Sequence, residues 1–231
     1  MKIEPKLIYA KFLKRYKRFF VDVSLNKKKI TVHCPNSGSM LGLLNANSDC
    51  WISKSDNPNR KLKYTLEVIN DTKSNVGVNT HRANRIVEEG LVNKKILELK
   101  SYNLIKREAK FNIDTRFDFL LENKNNQAYL EVKNVTLSRD KNVSEFPDAV
   151  TSRGTKHLKH LQEAVKKGYR SYLLFLVQRE DAKSIKIAGD IDKKYFEEIL
   201  RAKKNGVEIL AYSCTLSEKE IKINKKIKIQ I

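Results

Sequence analysis

Cysteine is scarce in this 231-residue chain: Cys34, Cys50 and Cys214 are scattered and odd in number, and none lies in a CxxC pair. That excludes a disulfide framework and a zinc ribbon, and it fits a reducing compartment. Long apolar runs are missing too. Met1 to Phe20 is interrupted by lysine and arginine throughout, so it lacks the apolar core of a secretory signal. Nowhere do about 18 apolar residues follow one another, as a membrane span requires. There is no internal repeat and no low-complexity linker. The deepest shortage is of acid, with 27 Asp+Glu against 47 Lys+Arg. A soluble, cytoplasmic protein with no membrane partner is expected.

A net charge of +20 attracts polyanions across several ångströms of salty water. Lysine outnumbers arginine 35 to 12, and Asn and Ile are frequent, which AT-rich coding would also produce. Lysine drift alone does not create such an acid deficit, so a nucleic acid is the expected partner, DNA first and RNA second. The positive charge is spread along the chain rather than gathered on one amphipathic helix, which argues against a membrane surface. The 40% of apolar residues can fill one large core or two modest ones.

The patterning divides the chain into residues 1–78 and 79–231. In the first part, Phe19 to Leu25 and Lys29 to Cys34 read as a hairpin about Asn26-Lys27-Lys28, and Asp49 to Ser53 and Leu62 to Ile69 as further strands. Short strands at this spacing fit a small OB-like β-barrel. In the second part a helix is expected from Thr80 as N-cap to Gly90 as terminator. Strands follow over Leu104 to Phe111, Arg116 to Leu121 and Ala128 to Leu137. A helix over Thr155 to Lys167, an apolar strand over Ser171 to Val177, a helix over Lys193 to Lys204 with Phe196, Ile199 and Leu200 inward, and a strand over Val207 to Tyr212 complete the pattern. The lysine-rich tail after Glu218 is expected to be solvated or frayed.

The most specific signal is Arg116-Phe117-Asp118-Phe119, a polar turn, then Tyr129-Leu130-Glu131-Val132-Lys133. Each carboxylate sits inside an apolar strand, where a lone charge costs several kcal/mol unless paired or metal-bound. Strand alternation sends Glu131 and Lys133 to one face, and a hairpin can set Asp118 beside them. Two readings follow. One is a buried ion-pair cluster that fixes the hairpin. The other is a site for Mg²⁺ or Mn²⁺, with Asp118, Glu131 and the Val132 backbone carbonyl as ligands and Lys133 orienting a water. An Asp and a Glu-X-Lys on consecutive strands between two helices is the order of the PD-(D/E)XK nuclease fold. It makes the second domain a restriction-endonuclease-like α/β unit with a mixed central sheet, α+β overall. Glu108 and Glu88 are candidates for a further ligand, or ordinary solvated carboxylates.

Several longer blocks resemble the sugar fermentation stimulation protein A family: Arg15 to Phe19, His33 to Met40, Ser53 to Pro58, Gly77 to Asn84, Tyr129 to Leu137 and Phe146 to Gly154. The resemblance runs through nearly the whole chain, departing only at Ser37, where Thr is common. It implies an OB-like first domain, a nuclease-like second domain, non-specific DNA binding and a link to sugar (maltose) metabolism in bacteria. It carries the acidic pair and lysine onto Asp118, Glu131 and Lys133, without an established reaction. A DNA-binding regulator without catalysis is the alternative it leaves open.

Other polar residues suit a nucleic-acid surface. Arg15, Lys17 and Arg18 beside Tyr16, Phe19 and Phe20 form a basic and aromatic cluster suited to stacking on single strands, or in part a core. Asn36, Ser37 and Ser39 either bind a phosphate through backbone N–H groups or form a tight turn. Arg82, Arg153, Lys156, His157 and Lys159 either clamp phosphates or are solvated. His157 and His160, three apart, are weak candidates for a transition metal.

Overall fold

The computed structural model describes residues Met1–Ile231. Its first part is a closed barrel. β1 (Ile8–Tyr16) pairs with β2 (Phe20–Leu25), and β2 pairs with β3 (Lys28–His33). Asn26 and Lys27 take φ of 50° and 63°, the geometry of a two-residue turn whose twist matches its strands. β1 also pairs with β4 (Asp49–Lys54), and β4 with β5 (Tyr64–Asn70). A parallel bridge, His33 to Thr65, joins β5 back to β3 and closes five strands in the OB-like order. β6 (Asn75–Gly77) extends β5. Phe12, Val23, Val32, Ile52 and Leu66 are wholly buried inside. β1 escapes a reading by alternation because a bulge between Phe12 and Lys14 breaks its period of two.

The second part opens with a 3₁₀ turn, Thr80–Arg82, followed by α1 (Ala83–Val92). Asn79, not Thr80, is the cap, its side chain accepting from the His81 N–H. Gly90 does not end the helix either. It is buried within it, where a Cβ would lie 2.4 Å from Ile223 Cδ1, so the glycine permits close packing.

The chain continues through β7 (Leu104–Lys110), β8 (Arg116–Glu122), β9 (Gln127–Val135), β10 (Leu137–Asp140) and β11 (Val143–Phe146). After these come α2 (Ser152–Lys166), β12 (Arg170–Val177), β13 (Ser184–Ile187), α3 (Lys193–Lys204), β14 (Glu208–Leu216), β15 (Ile221–Lys226) and β16 (Lys228–Gln230). The main sheet is mixed, in the order β15-β14-β12-β9-β8-β7, with β9, β12 and β14 parallel. α1 packs on one face, with Ile86, Val87 and Leu130 in its core. α2 and α3 cover the other, around Leu158, Leu173, Phe175 and Ile199. β12 is buried along seven consecutive residues, as a strand covered on both faces must be.

Two further expectations are corrected. The tail after Glu218 is not frayed: β15 pairs with β14, and β16 completes a small second sheet in the order β10-β11-β13-β16. Isoleucine at alternate positions among the lysines supplies the buried side, with Ile221 and Ile223 inward. In α3, Leu200 is 41% exposed, and Tyr195, Ile199 and Ala202 face the core. Glu198 is buried beside them because it binds Gln162 Nε2 (2.7 Å) and Arg201 (2.9 Å). No helix is long and apolar enough to cross a membrane.

The two parts are tied by polar and apolar contacts, Val68 of the barrel packing into the α1-side core. Arg179 is fully buried and binds Asp71 (2.7 Å) on the barrel side as well as Asp181 and the Thr136 carbonyl. Gly77 N–H donates to the Gln178 carbonyl at 2.9 Å. The N-terminal segment lies against the second part: Met1, Ile3 and Leu7 join the α1-side core and bond to the backbone of Glu218–Ile221.

Candidate functional site

Asp118 sits where the ladder between β8 and β9 stops. The last paired residues are Phe119 and Leu130. Phe117 packs into the α2 and α3 core while Phe119 packs into the α1 core, so β8 rotates between them. Across β7, Glu108 takes φ of 49°, a second distortion at the same level. The half-buried carboxylate of Asp118 occupies the place of a ladder carbonyl, its Oδ2 accepting from the Val132 N–H at 2.7 Å and its Oδ1 from Asn84 Nδ2 at 2.7 Å. Glu131 and Lys133 lie opposite Leu173 and Phe175 of β12, on the face covered by α2. Lys133 Nζ is 2.7 Å from Glu131 Oε1.

His157, on α2, reaches the same Glu131 oxygen through Nδ1. Arg153 Nε donates to His157 Nε2 at 3.4 Å, which leaves the ring proton on Nδ1 and makes the histidine the donor to Glu131. Glu131 is therefore fixed from two sides through one oxygen. Its other oxygen, Oε2, is buried with no hydrogen-bond partner, and so is the hydroxyl of Tyr195 from α3.

The electrostatics separate the two acids. Burial, and next the negative charge of Glu131, push the Asp118 carboxyl up to about 6. Burial also works against ionisation of Glu131, but the Lys133 ammonium and His157 outweigh it and hold its carboxyl below the ordinary glutamate range. Glu131 is thus the anion, and Asp118 is poised to gain charge from a cation nearby. No group of three His, Cys, Asp or Glu side chains is arranged to hold a metal ion. The donor set is two carboxylates, one with a buried free oxygen.

The remaining residues divide. Glu88 is 3.6 Å from Arg107, and Glu108 is exposed; neither hydrogen-bonds Asp118 or Glu131. Asn84, one helical turn before Glu88 on the same face, is the α1 residue that touches the pair. Arg15 is not a free phosphate contact: its guanidinium donates to the carbonyls of Arg18, Asn36, Gly38 and Ser39 and holds that loop. Asn36 is buried, its Oδ1 accepting from the Gly38 N–H, so the tight-turn alternative describes it. Gly38 has no room for a Cβ, which would meet the Asp148 carboxylate at 2.4 Å. Arg82 is paired with buried Glu67 at 2.8 Å and 3.1 Å rather than open to solvent. Lys17, Arg18, Ser37, Arg153, Lys156 and Lys159 are exposed. His160 contacts Thr115 Oγ1 rather than the partner of His157, so the two histidines do not converge. A cleft of about 230 Å³ between the parts is lined by Ser37 and Gly38 on the barrel side and by Thr80, Asn134, Thr136 and Asp148 on the other.

Residues 13–78 match the family model described as the SfsA N-terminal OB domain, and residues 81–220 that of the sugar fermentation stimulation protein RE domain. The chain belongs to the sugar fermentation stimulation protein family. Within that family it is 57% identical over 229 residues to a sugar fermentation stimulation protein homolog of Pelagibacter ubique, covering 99% of both chains. A homolog of the same description from Agrobacterium fabrum is 42% identical over 230 residues, covering 99% of this chain and 96% of that one. Among solved structures, SfsA of Pyrococcus furiosus in complex with Ca²⁺ superposes with a TM-score of 0.90 at 24% identity, covering 100% of this chain and 98% of that one. That likeness gives the OB-like barrel and the mixed α/β domain of this family a common fold.

Proposed function

We propose that this protein binds nucleic acid, DNA in the first place, and that its second domain is a divalent-metal phosphodiesterase built on Asp118, Glu131 and Lys133. The observation that carries the reading is Glu131 Oε2, a buried carboxylate oxygen without a partner, beside an acid whose pKa is raised to about 6. Two hard oxygen donors suit Mg²⁺ or Mn²⁺, which take one or two carboxylates and fill the remaining positions with water and phosphate oxygens. The Pyrococcus furiosus relative was solved in complex with Ca²⁺, another oxygen-seeking divalent ion, which supports the same class of cofactor here. When bound, such an ion supplies a more acidic water and offsets negative charge on the phosphate. With Glu88 paired and Glu108 exposed, the Val132 carbonyl would be the further protein ligand. Asn84 and the Val132 N–H would orient Asp118, His157 would orient Glu131, and Lys133 would position a water or neutralise charge. The charge of +20 and the OB-like barrel support a phosphate-backbone grip without sequence reading.

That no group of three His, Cys, Asp or Glu side chains is arranged around one ion position favours a second reading, a DNA-binding regulator of sugar use that does not cleave. Digestion of single-stranded, duplex and branched DNA and of RNA with Mg²⁺ or Mn²⁺ separates the two. Cleavage that disappears in Asp118→Asn and Glu131→Gln while binding persists supports the enzyme. Equal cleavage in wild type and both variants rejects it.

A further inference from the structure

Three sequence blocks that the proposed chemistry does not use meet in space. His33, Ser53 to Asp56, and Asn79, His81 and Arg82 line a polar cavity of about 510 Å³ where the barrel meets the segment leading into α1, and Ile3 is the one hydrophobic residue in its wall. Glu67, 1% exposed, is neutralised there by the two bonds from Arg82 and accepts further bonds from Asn79 Nδ2 (2.8 Å) and Ser53 Oγ (2.6 Å). It therefore makes no demand on the other cations. Lys54 and Arg60 line the cavity without a carboxylate partner, Arg60 donating to a neutral group, Thr65 Oγ1 at 2.8 Å, and the imidazoles of His33 and His81 lie beside them. The remaining acids in the wall, Glu4 and Asp56, are exposed to solvent. Burial, with Arg60 and His81 next, pushes the His33 imidazole below its ordinary pKa, as expected where positive groups crowd together.

An aromatic surface adjoins these cations. Phe19, 42% exposed, stacks on His33 with centroids 6.5 Å apart and planes 25° from parallel. Unpaired cations in a polar cavity beside an open aromatic face are what a nucleotide requires: charge-assisted donors for phosphate and a platform for the base. We infer that this cavity binds a nucleotide, its base stacking on Phe19 and its phosphomonoester held by Lys54, Arg60 and His81. The phosphomonoester belongs to a free mononucleotide or to the end of a strand. The strand-end version rests on the nucleic-acid reading above, and the nucleotide chemistry does not. Arg82 at the cavity and Asn84 on Asp118 are two residues apart, so a strand end anchored here would lie next to the segment that supports the acidic pair.

Fluorescence anisotropy with one single-stranded oligonucleotide in three forms, 5′-phosphorylated, 3′-phosphorylated and unphosphorylated, tests the strand end. Calorimetry with deoxyadenosine monophosphate against deoxyadenosine tests the free nucleotide. The cavity is expected to favour a phosphorylated ligand by roughly tenfold or more. Lys54→Ala and His81→Ala, both at exposed side chains and so safe for folding, should remove that preference while the unphosphorylated oligonucleotide binds much as before. A preference seen only with the mononucleotide supports the cavity and assigns it a free ligand. No phosphate preference in either assay, or a preference that both variants retain, overturns the proposal. Failure of every oligonucleotide to bind would remove the nucleic-acid reading instead, and the mononucleotide arm would still decide the cavity.

Discussion

The Val132 N–H donates to Asp118 Oδ2 at 2.7 Å, so a side-chain carboxylate stands in for a backbone carbonyl at the point where β8 and β9 part. The same peptide follows directly on Glu131. Strand separation, the acid on one strand and the acid on the other are thus one local structure. A hairpin that stayed fully paired would offer Val132 a carbonyl and leave Asp118 without this anchor.

That anchor does not offset the cost of burying Asp118 as an anion. Its pKa of about 6 lies above the ordinary 3.8 because burial, and next Glu131, disfavour the charge. The folded protein therefore holds this proton more tightly than the unfolded chain, and stability falls as pH rises from about 4 to about 6, then levels off. Two pKa units correspond to roughly 3 kcal/mol. In EDTA, Asp118→Asn should raise stability at pH 8 by about 1–2 kcal/mol, because the amide keeps only one of the two accepted hydrogen bonds. At pH 4 it should give no gain. Urea denaturation at both values checks this, and an equal gain at pH 4 and pH 8 would contradict the assignment.

A divalent ion should reverse that order. It binds the folded protein through ionised Asp118 and Glu131, so Mg²⁺, Mn²⁺ or Ca²⁺ at a hundred times its Kd stabilises by about 2.7 kcal/mol. For a chain of this length that raises Tm by roughly 5–10 °C. Glu131→Gln and Asp118→Asn should each abolish the rise in a thermal melt. A rise that persists in both variants places the ion elsewhere.

On the β1–β2 turn the basic residues divide by their bonds. Arg15 is held by four backbone carbonyls, while Lys17 and Arg18 are exposed beside the stacked and exposed rings of Tyr16 and Phe20, whose centroids are 5.7 Å apart. Lys17→Gln with Arg18→Gln should lower duplex affinity and reduce the slope of log K against log salt by about 2, with little change in stability. Arg15→Ala should instead cost about 1–3 kcal/mol of stability through the unsatisfied carbonyls. Salt titration and urea denaturation of both variants separate the roles.

What the sequence made legible follows from periodicity. β12, β8 and α3 stand within a residue or two of their expected limits, because a buried strand is an unbroken apolar run and an amphipathic helix repeats every 3.6 residues. β1 was hidden by its bulge, and β16 by being three residues long with a single isoleucine. The acids of the site were legible as charges inside apolar strands. Asn84 was not, because an amide on a polar helix face carries no such signal. Nor were Phe19 and His33 as a pair, since their rings meet only in the β2–β3 register that sets Phe20 opposite His33 and the Cys34 N–H on the Phe19 carbonyl.

Arg179 carries the sharpest stability prediction. Its guanidinium is wholly buried and binds Asp71 at 2.7 Å and Asp181 at 2.8 Å, joining the turn after β5 to the strand end after β12. Arg179→Met keeps the side-chain volume and leaves Asp71 buried without its cation, which should cost about 3–5 kcal/mol. Asp71→Asn should cost less, because Arg179 retains Asp181. If the buried charge left behind is the cause, the double variant loses less than the sum of the two single losses, since removing Asp71 also removes the unpaired anion. Urea denaturation of all four proteins measures that difference. Strictly additive losses would mean that Arg179 acts through packing, and that the two parts of the chain are not held by this pair.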